Sequence, residues 1–230
     1  MSALHERFLC QLPKGALILD AGCGSGRDSK AFIERGFRVQ CFDGSAELAD
    51  RASKFIGQMV SVCQFEEFAE RDKYDGVWAC ASLLHVQEKS LPGVLTRLWS
   101  ALKPEGILYL SFKLGDGERT HNGRHFTDAT EDRLRTWLSA LTDISTIDCW
   151  NTEDARSDRE ATWLNAIVRR MPVCVERLIT GEKENPFLPH LSSAMAQAAE
   201  IDLSVAFIKT TGIRLLLDDM NAALGHDDAI

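Results

Sequence analysis

An α/β fold with a seven-stranded, mostly parallel sheet is what this sequence predicts, and three observations predict it. Short β-branched or aromatic runs alternate with amphipathic stretches from residue 17 to about 113, the order expected when helices cross between parallel strands. The first run breaks into alternating glycines, "LILDAGCGSGRDS" (17–29), so a buried strand ends in a loop nearly free of side chains. Two strand-like runs further on have no helix between them, which predicts an antiparallel last strand beside the sheet edge.

In chain order the expected strands are "ALILDAG" (16–22), "RVQCFD" (38–43), "VSVCQF" (60–65), "YDGVWACAS" (74–82) and "GILYLSFK" (106–113), with helices at about 27–36, 46–57 and 90–102. A polar loop, "LGDGERTHNGRHFTD", and a helix near 130–141 follow. Then come "ISTIDCW" and "TWLNAIVR", joined by the charged segment "NTEDARSDREA". The division expected is a main domain over 1–170 and a C-terminal appendage over 171–230. That appendage reads as a turn-rich loop "GEKENPFLPH", a helix, the strand "IDLSVAFI" and a helix over about 212–224.

With 230 residues, 45% of them apolar, the chain has ample material for one core. No window approaches about 18 consecutive apolar residues, and the N-terminus carries charge within its apolar pattern, so neither a membrane span nor a signal peptide is read. A cytoplasmic location is expected. Seven cysteines, dispersed and without a CxxC pair, suggest reduced, buried small residues. The net charge is −8; residues 171–230 hold 9 acids against 4 bases, leaving 25 against 22 upstream. Binding to nucleic-acid phosphates would call for the opposite balance.

Glycines at 22, 24 and 26 let the backbone come within contact distance of a ligand. There is no GK[ST] for phosphates, and the spacing is GxGxG, not GxGxxG. Asp20, which opens the motif, would repel a diphosphate but favour a cation. Asp43 closes the second strand about 20 residues after the first glycine, where a carboxylate can accept from both hydroxyls of a ribose. The ligand so described is cationic, carries a ribose and lacks phosphates. A plain strand-to-helix turn would also use the glycines, and Asp43 could instead cap the helix begun by "GSAELAD".

These blocks resemble the class I S-adenosylmethionine-dependent methyltransferases, which are Rossmann-like, and within them the small tellurite-resistance-like group. The likeness covers residues 4 to about 170. It rests on "ILDAGCGSGRDS", "VQCFDGS", "YDGVWACASLLHV" and "LKPEGILYLSFK", in order. What the resemblance implies is a cofactor, S-adenosyl-L-methionine, leaving as S-adenosyl-L-homocysteine. Asp20, Gly22, Gly24 and Gly26 would then wrap its methionine part, Asp43 would hold its ribose and Gln64, Phe65 and Glu66 would flank its adenine, with Cys23, Gly44 and Ser45 also among the cofactor-binding residues. Ala79 and Ser82 would lie beside it. Arg27 could meet the cofactor carboxylate or an anionic substrate, or form a solvated ion pair with Asp28.

Methyl transfer from a sulfonium is an in-line displacement from an activated leaving group, so holding nucleophile and methyl in contact can supply ~7–11 kcal/mol. A base is needed only for a protonated nucleophile. His85, just past the fourth strand, is the candidate; a half-buried histidine capping the strand is the alternative. Lys113, Arg119, Arg124, His125, Arg156 and Arg159 could gather at one edge around an anionic or oxyanion substrate. The resemblance singles out Lys113, Arg124 and Phe126, because "FKxGxGE…GRxFTD" is similar to the group's substrate-side loop.

His121 and His125 are spaced HxxxH but sit in a loop with no third ligand in view, so no metal site is expected. The fourth strand reads "ACASLLH", unlike the Asn/Asp-Pro-Pro-aromatic turn of DNA amino-methylating enzymes. Dispersed cysteines argue against arsenite-type chemistry. Residues 176–224 resemble the opening segment of phospholipase D-like domains but lack the HxK motif. That tail could therefore dock, self-associate or belong to a fusion partner. The activity expected is methyl transfer to a small molecule or oxyanion; the alternative is a non-catalytic binding module fused to a nucleic-acid-processing protein.

Overall fold

The structure is a computed structural model that describes residues 2–121, 123–154 and 161–172. All of these lie in one compact unit, Met1–Val173. Expectations for Arg156, Arg159, Cys174 and the tail segment 176–224 fall outside the described residues.

The sheet is built from β1 (Leu17–Ala21), β2 (Arg38–Asp43), β3 (Ser61–Val62), β4 (Tyr74–Ala79), β5 (Leu102–Lys113), β8 (Ile144–Glu153) and β9 (Thr162–Arg170), in the order β3-β2-β1-β4-β5-β9-β8. Pairings from β3 to β5 are parallel, while β9 runs antiparallel to both β5 and β8. The seven strands and the antiparallel closing pair match the expectation.

Period-two alternation gives each strand a residue for either face. Ile18, Trp78, Ile107 and Tyr109 join one core layer with Phe8 and Phe32. Their neighbours Leu19, Val77, Leu108 and Leu110 join the other, which is filled by α4 (Leu91–Ala101) and α5 (Glu131–Leu138) through Leu95, Leu98, Leu134 and Trp137. Burial on both faces explains why these strands read as continuous apolar runs. In the first layer Trp78 and Tyr109 stack at 3.8 Å between centroids, 13° from parallel.

Several expectations need correction. The helix α1 (Ser2–Leu9) was not expected; Phe8 is fully buried and packs 5.1 Å from Trp78. The supposed polar loop is a separate two-stranded ribbon, β6 (Gly117–His121) against β7 (Arg124–Asp128), whose polar residues are those of a hairpin solvated on one face. The third strand is only Ser61–Val62, so Gln64 and Phe65 lie beyond it. Among the described cysteines only Cys41 is buried; Cys10 is exposed and Cys23, Cys63, Cys80 and Cys149 are intermediate, all as free thiols. Apolar flanks thus overstated their burial, since several stand at strand ends and loops.

Phe8 ties α1 to the sheet. Phe8→Ala is expected to lower unfolding stability by ~3–5 kcal/mol, read from urea unfolding, and no measurable loss would show that α1 does not pack as described.

Candidate active site

The site lies at the carboxyl edge of β1, β2 and β4. Gly22, Gly24 and Gly26 all have positive φ, of 75°, 58° and 81°, and at Gly22 the need for glycine is plain. A Cβ there would meet Ser82 Cβ at 2.6 Å and Phe65 Cζ at 3.0 Å. Gly26 takes the left-handed N-cap of α2 (Arg27–Glu34), where a Cβ would press on Ala52 and Ile56 of α3 (Ala46–Ile56). The bend therefore requires small residues for packing as well as for approach.

Asp43 fixes the bend from the next strand. Its Oδ2 accepts from the Gly24 amide and its Oδ1 from the Ser45 amide, both at 2.8 Å. A carboxylate has about four acceptor sites, so capacity for two hydroxyls remains. The cap of α3 is Ser45, whose Oγ accepts from the Leu48 amide; Asp43 is not that cap. Beside it the Gln64 side-chain amide donates to the Gly44 carbonyl, 3.1 Å away. Phe65 leans on Gly22, and Glu66 is exposed.

A cavity of about 250 Å³ follows the loop, lined by Asp20, Gly22, Cys23, Gly24 and Arg27, together with Ser25, Asp28, Cys80 and Ala81. Of the fourth-strand residues named from sequence, Ala79 is wholly buried and Ser82 faces inward, its hydroxyl donating to the Ala21 carbonyl at 2.7 Å. Cys80 and Ala81 reach the cavity instead. Ala81 holds φ 51°, strained for a side-chain-bearing residue, while the Ser111 hydroxyl accepts from its amide at 2.9 Å.

Two buried acids stand there with their pKa values shifted in opposite directions. Asp20 is 3% exposed, and the Ser29 hydroxyl donates to it at 2.6 Å. Burial pushes its carboxyl well above the usual range; the Ser29 bond opposes the shift and the charge of Asp28 adds to it. Burial would likewise raise Asp28, but His5, Arg27 and the Trp78 indole outweigh burial and hold that carboxyl far below the usual range. The contacts are His5 Nε2 at 3.2 Å, Arg27 Nε at 2.8 Å and Trp78 Nε1 at 3.1 Å. Arg27 thus keeps the ion pair expected for it, with its side chain largely exposed.

A second cavity, of about 570 Å³, continues from the first, and Arg27, Cys80 and Ala81 line both. Its floor is Tyr109, Ser111 and Asn165; its walls include α1, Trp150, Glu153 and Trp163. No sequence signal marked it, because Trp150 and Trp163 read simply as strand residues. His85, Lys113, Arg124 and Phe126 line neither cavity. They gather beside the β6–β7 ribbon. His85 is exposed, not half-buried. Its Nδ1 lies 2.8 Å from the His125 carbonyl and so donates to it, leaving Nε2 as the acceptor of the neutral ring. The Phe126 ring lies 4.9 Å away, edge-on, and both Lys113 and Arg119 stand over it. Arg124 is exposed opposite His121.

Residues 18–106 match the family model described as a methyltransferase domain. The chain has the class I methyltransferase fold. The 1,6-didemethyltoxoflavin-N1-methyltransferase of Burkholderia thailandensis, solved with 1,6-didemethyltoxoflavin and S-adenosylhomocysteine bound, is 26% identical, with a TM-score of 0.61 over 74% of this chain and 76% of that one. Glycine/sarcosine N-methyltransferase of Halorhodospira halochloris is 35% identical over 50% of this chain and 47% of its own. The tRNA 5-carboxymethoxyuridine methyltransferase of Escherichia coli K12 is 34% identical over 51% and 48%. The chain spans about half the length of these two curated relatives. No helix among the described residues is long and apolar enough to cross a membrane.

The two acids carry opposite pH signatures. An unfolded aspartate titrates near ~3.9. Asp28, depressed in the fold, stabilises above that value, and its contribution is lost as pH falls through its folded value. Asp20, raised in the fold, costs stability progressively as pH climbs from ~3.9 to its folded value. Asp28→Asn should therefore unfold at lower urea than wild type at pH 7, with the gap closing on acidification. Asp20→Asn should unfold at higher urea at pH 7, again converging in acid. A gap that persists unchanged into acid for either variant would contradict the assignment.

Proposed function

We propose that the chain is an S-adenosylmethionine-dependent methyltransferase acting on a small molecule by in-line displacement. The observation that carries this reading is Asp20, a buried acid whose side-chain partner among the described residues is a hydroxyl, on the wall of a glycine-lined cavity. A carboxyl in that position is relieved by a cation, and a diphosphate would make its state worse. The spare acceptor capacity of Asp43 suits a ribose, Phe65 beside Gly22 and Gln64 beside Gly44 are the residues proposed to flank an adenine, and S-adenosylhomocysteine is bound in the Burkholderia relative.

When bound, the cofactor supplies a methyl on a positively charged sulfur, ready for displacement. The chain's own task is positioning. The glycine loop and Asp43 would hold the donor, and the neighbouring cavity, reached past Cys80 and Ala81, would hold the acceptor. His85, with Nδ1–H held by a carbonyl, is the candidate to take a proton at Nε2. The named relatives are methyltransferases for 1,6-didemethyltoxoflavin, for glycine or sarcosine, and for 5-carboxymethoxyuridine of tRNA, so they support the donor chemistry and leave the acceptor open.

The narrower likeness to the tellurite-resistance-like group rests on the sequence blocks alone. The oxyanion part of that reading draws no support from the site: Lys113 and Arg119 stand over Phe126, and Arg119 is engaged with Asp128 at 2.8 Å. The division at about residue 170, a cytoplasmic location and a role for the tail in fusion or self-association stay part of the proposal. A binding module without turnover is the second reading, favoured by the absence of His85 from the lining of both cavities.

Calorimetric titration with S-adenosylmethionine tests the donor site: binding is expected for wild type and a loss of at least tenfold for Asp43→Ala. Equally flat traces would sink the reading. For turnover, His85→Ala is expected to slow methyl transfer by ~10²-fold or more, and an unchanged rate removes His85 as the base.

A further inference from the structure

We infer that the 570 Å³ cavity selects an amine carried on a flat apolar body, so that the chain methylates nitrogen. This rests on the methyltransferase reading above and names the acceptor class for that same site. The cavity is of ordinary size for a small-molecule site, and it opens onto the glycine loop through the residues the two cavities share.

Its walls are aromatic. Trp150 and Trp163 sit on adjacent strands near the carboxyl edge, with Tyr109 beneath them. Both indoles are only partly buried. Tyr109 donates to Asn165 Oδ1 at 2.8 Å, and the Asn165 amide is spent on the Trp150 and Trp163 carbonyls and the Thr152 hydroxyl. The floor is thereby fixed and offers a ligand little hydrogen bonding, so its middle suits a ring.

The charge at the rim decides the functional group. Both arginines in the lining are engaged: Arg7 reaches Asp148 at 2.6 Å and lies 3.7 Å over the Trp150 ring, and Arg27 pairs with Asp28. On the acidic side, Asp154 accepts from the Trp163 indole at 3.3 Å. Glu153 is exposed at the mouth, and no cation among the described residues is paired with it. A ring bearing an ammonium would lay its flat body on the indoles and its charge against Glu153, aided by the attraction of indole faces for cations. A carboxylate on the same ring would meet Glu153.

The transfer balances simply. The bound ammonium sheds one proton to solvent at the cavity mouth, exposing its lone pair. That pair forms the N–C bond as the donor S–C bond breaks with its electrons going to sulfur, and the product leaves as an N-methylammonium.

Tryptamine and indole-3-acetate share a ring and differ in charge, which makes them suitable probes. With wild-type protein saturated by S-adenosylhomocysteine, calorimetry is expected to give tryptamine at least tenfold tighter binding than indole-3-acetate. Glu153→Gln should erase most of that preference, and Trp163→Ala should weaken both probes at least fivefold. Each variant should keep wild-type affinity for S-adenosylhomocysteine, which also reports that it is folded. Equal or tighter binding of indole-3-acetate, or no tryptamine binding by protein that binds S-adenosylhomocysteine, overturns the amine assignment alone. Failure to bind S-adenosylhomocysteine overturns the donor reading beneath it.

Discussion

The carboxylate of Asp28 is the junction on which the rest of the site depends. It is buried between the first helix, the second helix and the fourth strand, and it accepts a hydrogen bond from each: His5, Arg27 and Trp78. Burying such a group is costly unless every lone pair is used, so the three elements are held in register by the need to satisfy it. Trp78 in turn stacks on Tyr109, the floor of the larger cavity, and His5 brings with it the helix that walls that cavity through Arg7. Arg35 closes the chain of contacts on the far nitrogen of His5, at 2.9 Å.

Around this junction the charges divide by commitment. Among the described residues, the arginines lining the cavities are engaged by carboxylates and an aromatic ring. Asp20 has a hydroxyl in place of a counterion, and Glu153 stands at the open mouth. Two acids without a cationic partner among the described residues, Asp20 at the glycine bend and Glu153 at the mouth, suit two cationic groups under the proposed reading, one on the donor and one on the acceptor. The proposed donor and acceptor are both of that kind, whereas the loop cations read from the sequence suggested an anionic or oxyanion acceptor.

Much of this was legible from residue order. Alternation of apolar runs and amphipathic stretches located the sheet because buried parallel strands must be apolar throughout. The glycine spacing located the bend because few other residues tolerate positive φ. What was not legible falls into two kinds. The first helix escaped because its charges, Glu6 and Arg7, interrupt a short apolar stripe whose meaning depends on Phe8 finding Trp78, seventy residues on. The acceptor cavity escaped because Trp150, Trp163 and Asn165 converge only through the register of β8 against β9, and register is not written in local pattern. The polar run after β5 was misread as a loop for a related reason: a two-stranded ribbon with one solvated face has little apolar signal. Cys80 and Ala81 line the cavity one step from Ala79 and Ser82, the residues named from the sequence, as side chains alternate across a strand end.

The two halves of the site come from different ends of the sheet's construction. Everything that would grip the donor is drawn from β1 through β4, whereas the aromatic walls come from the last hairpin, which touches the rest of the sheet along one side of β9 only. Evolution can therefore rewrite the guest list of the outer hairpin while leaving the inner strands untouched. Families built on this plan can diverge in what they modify and stay alike in how they do it.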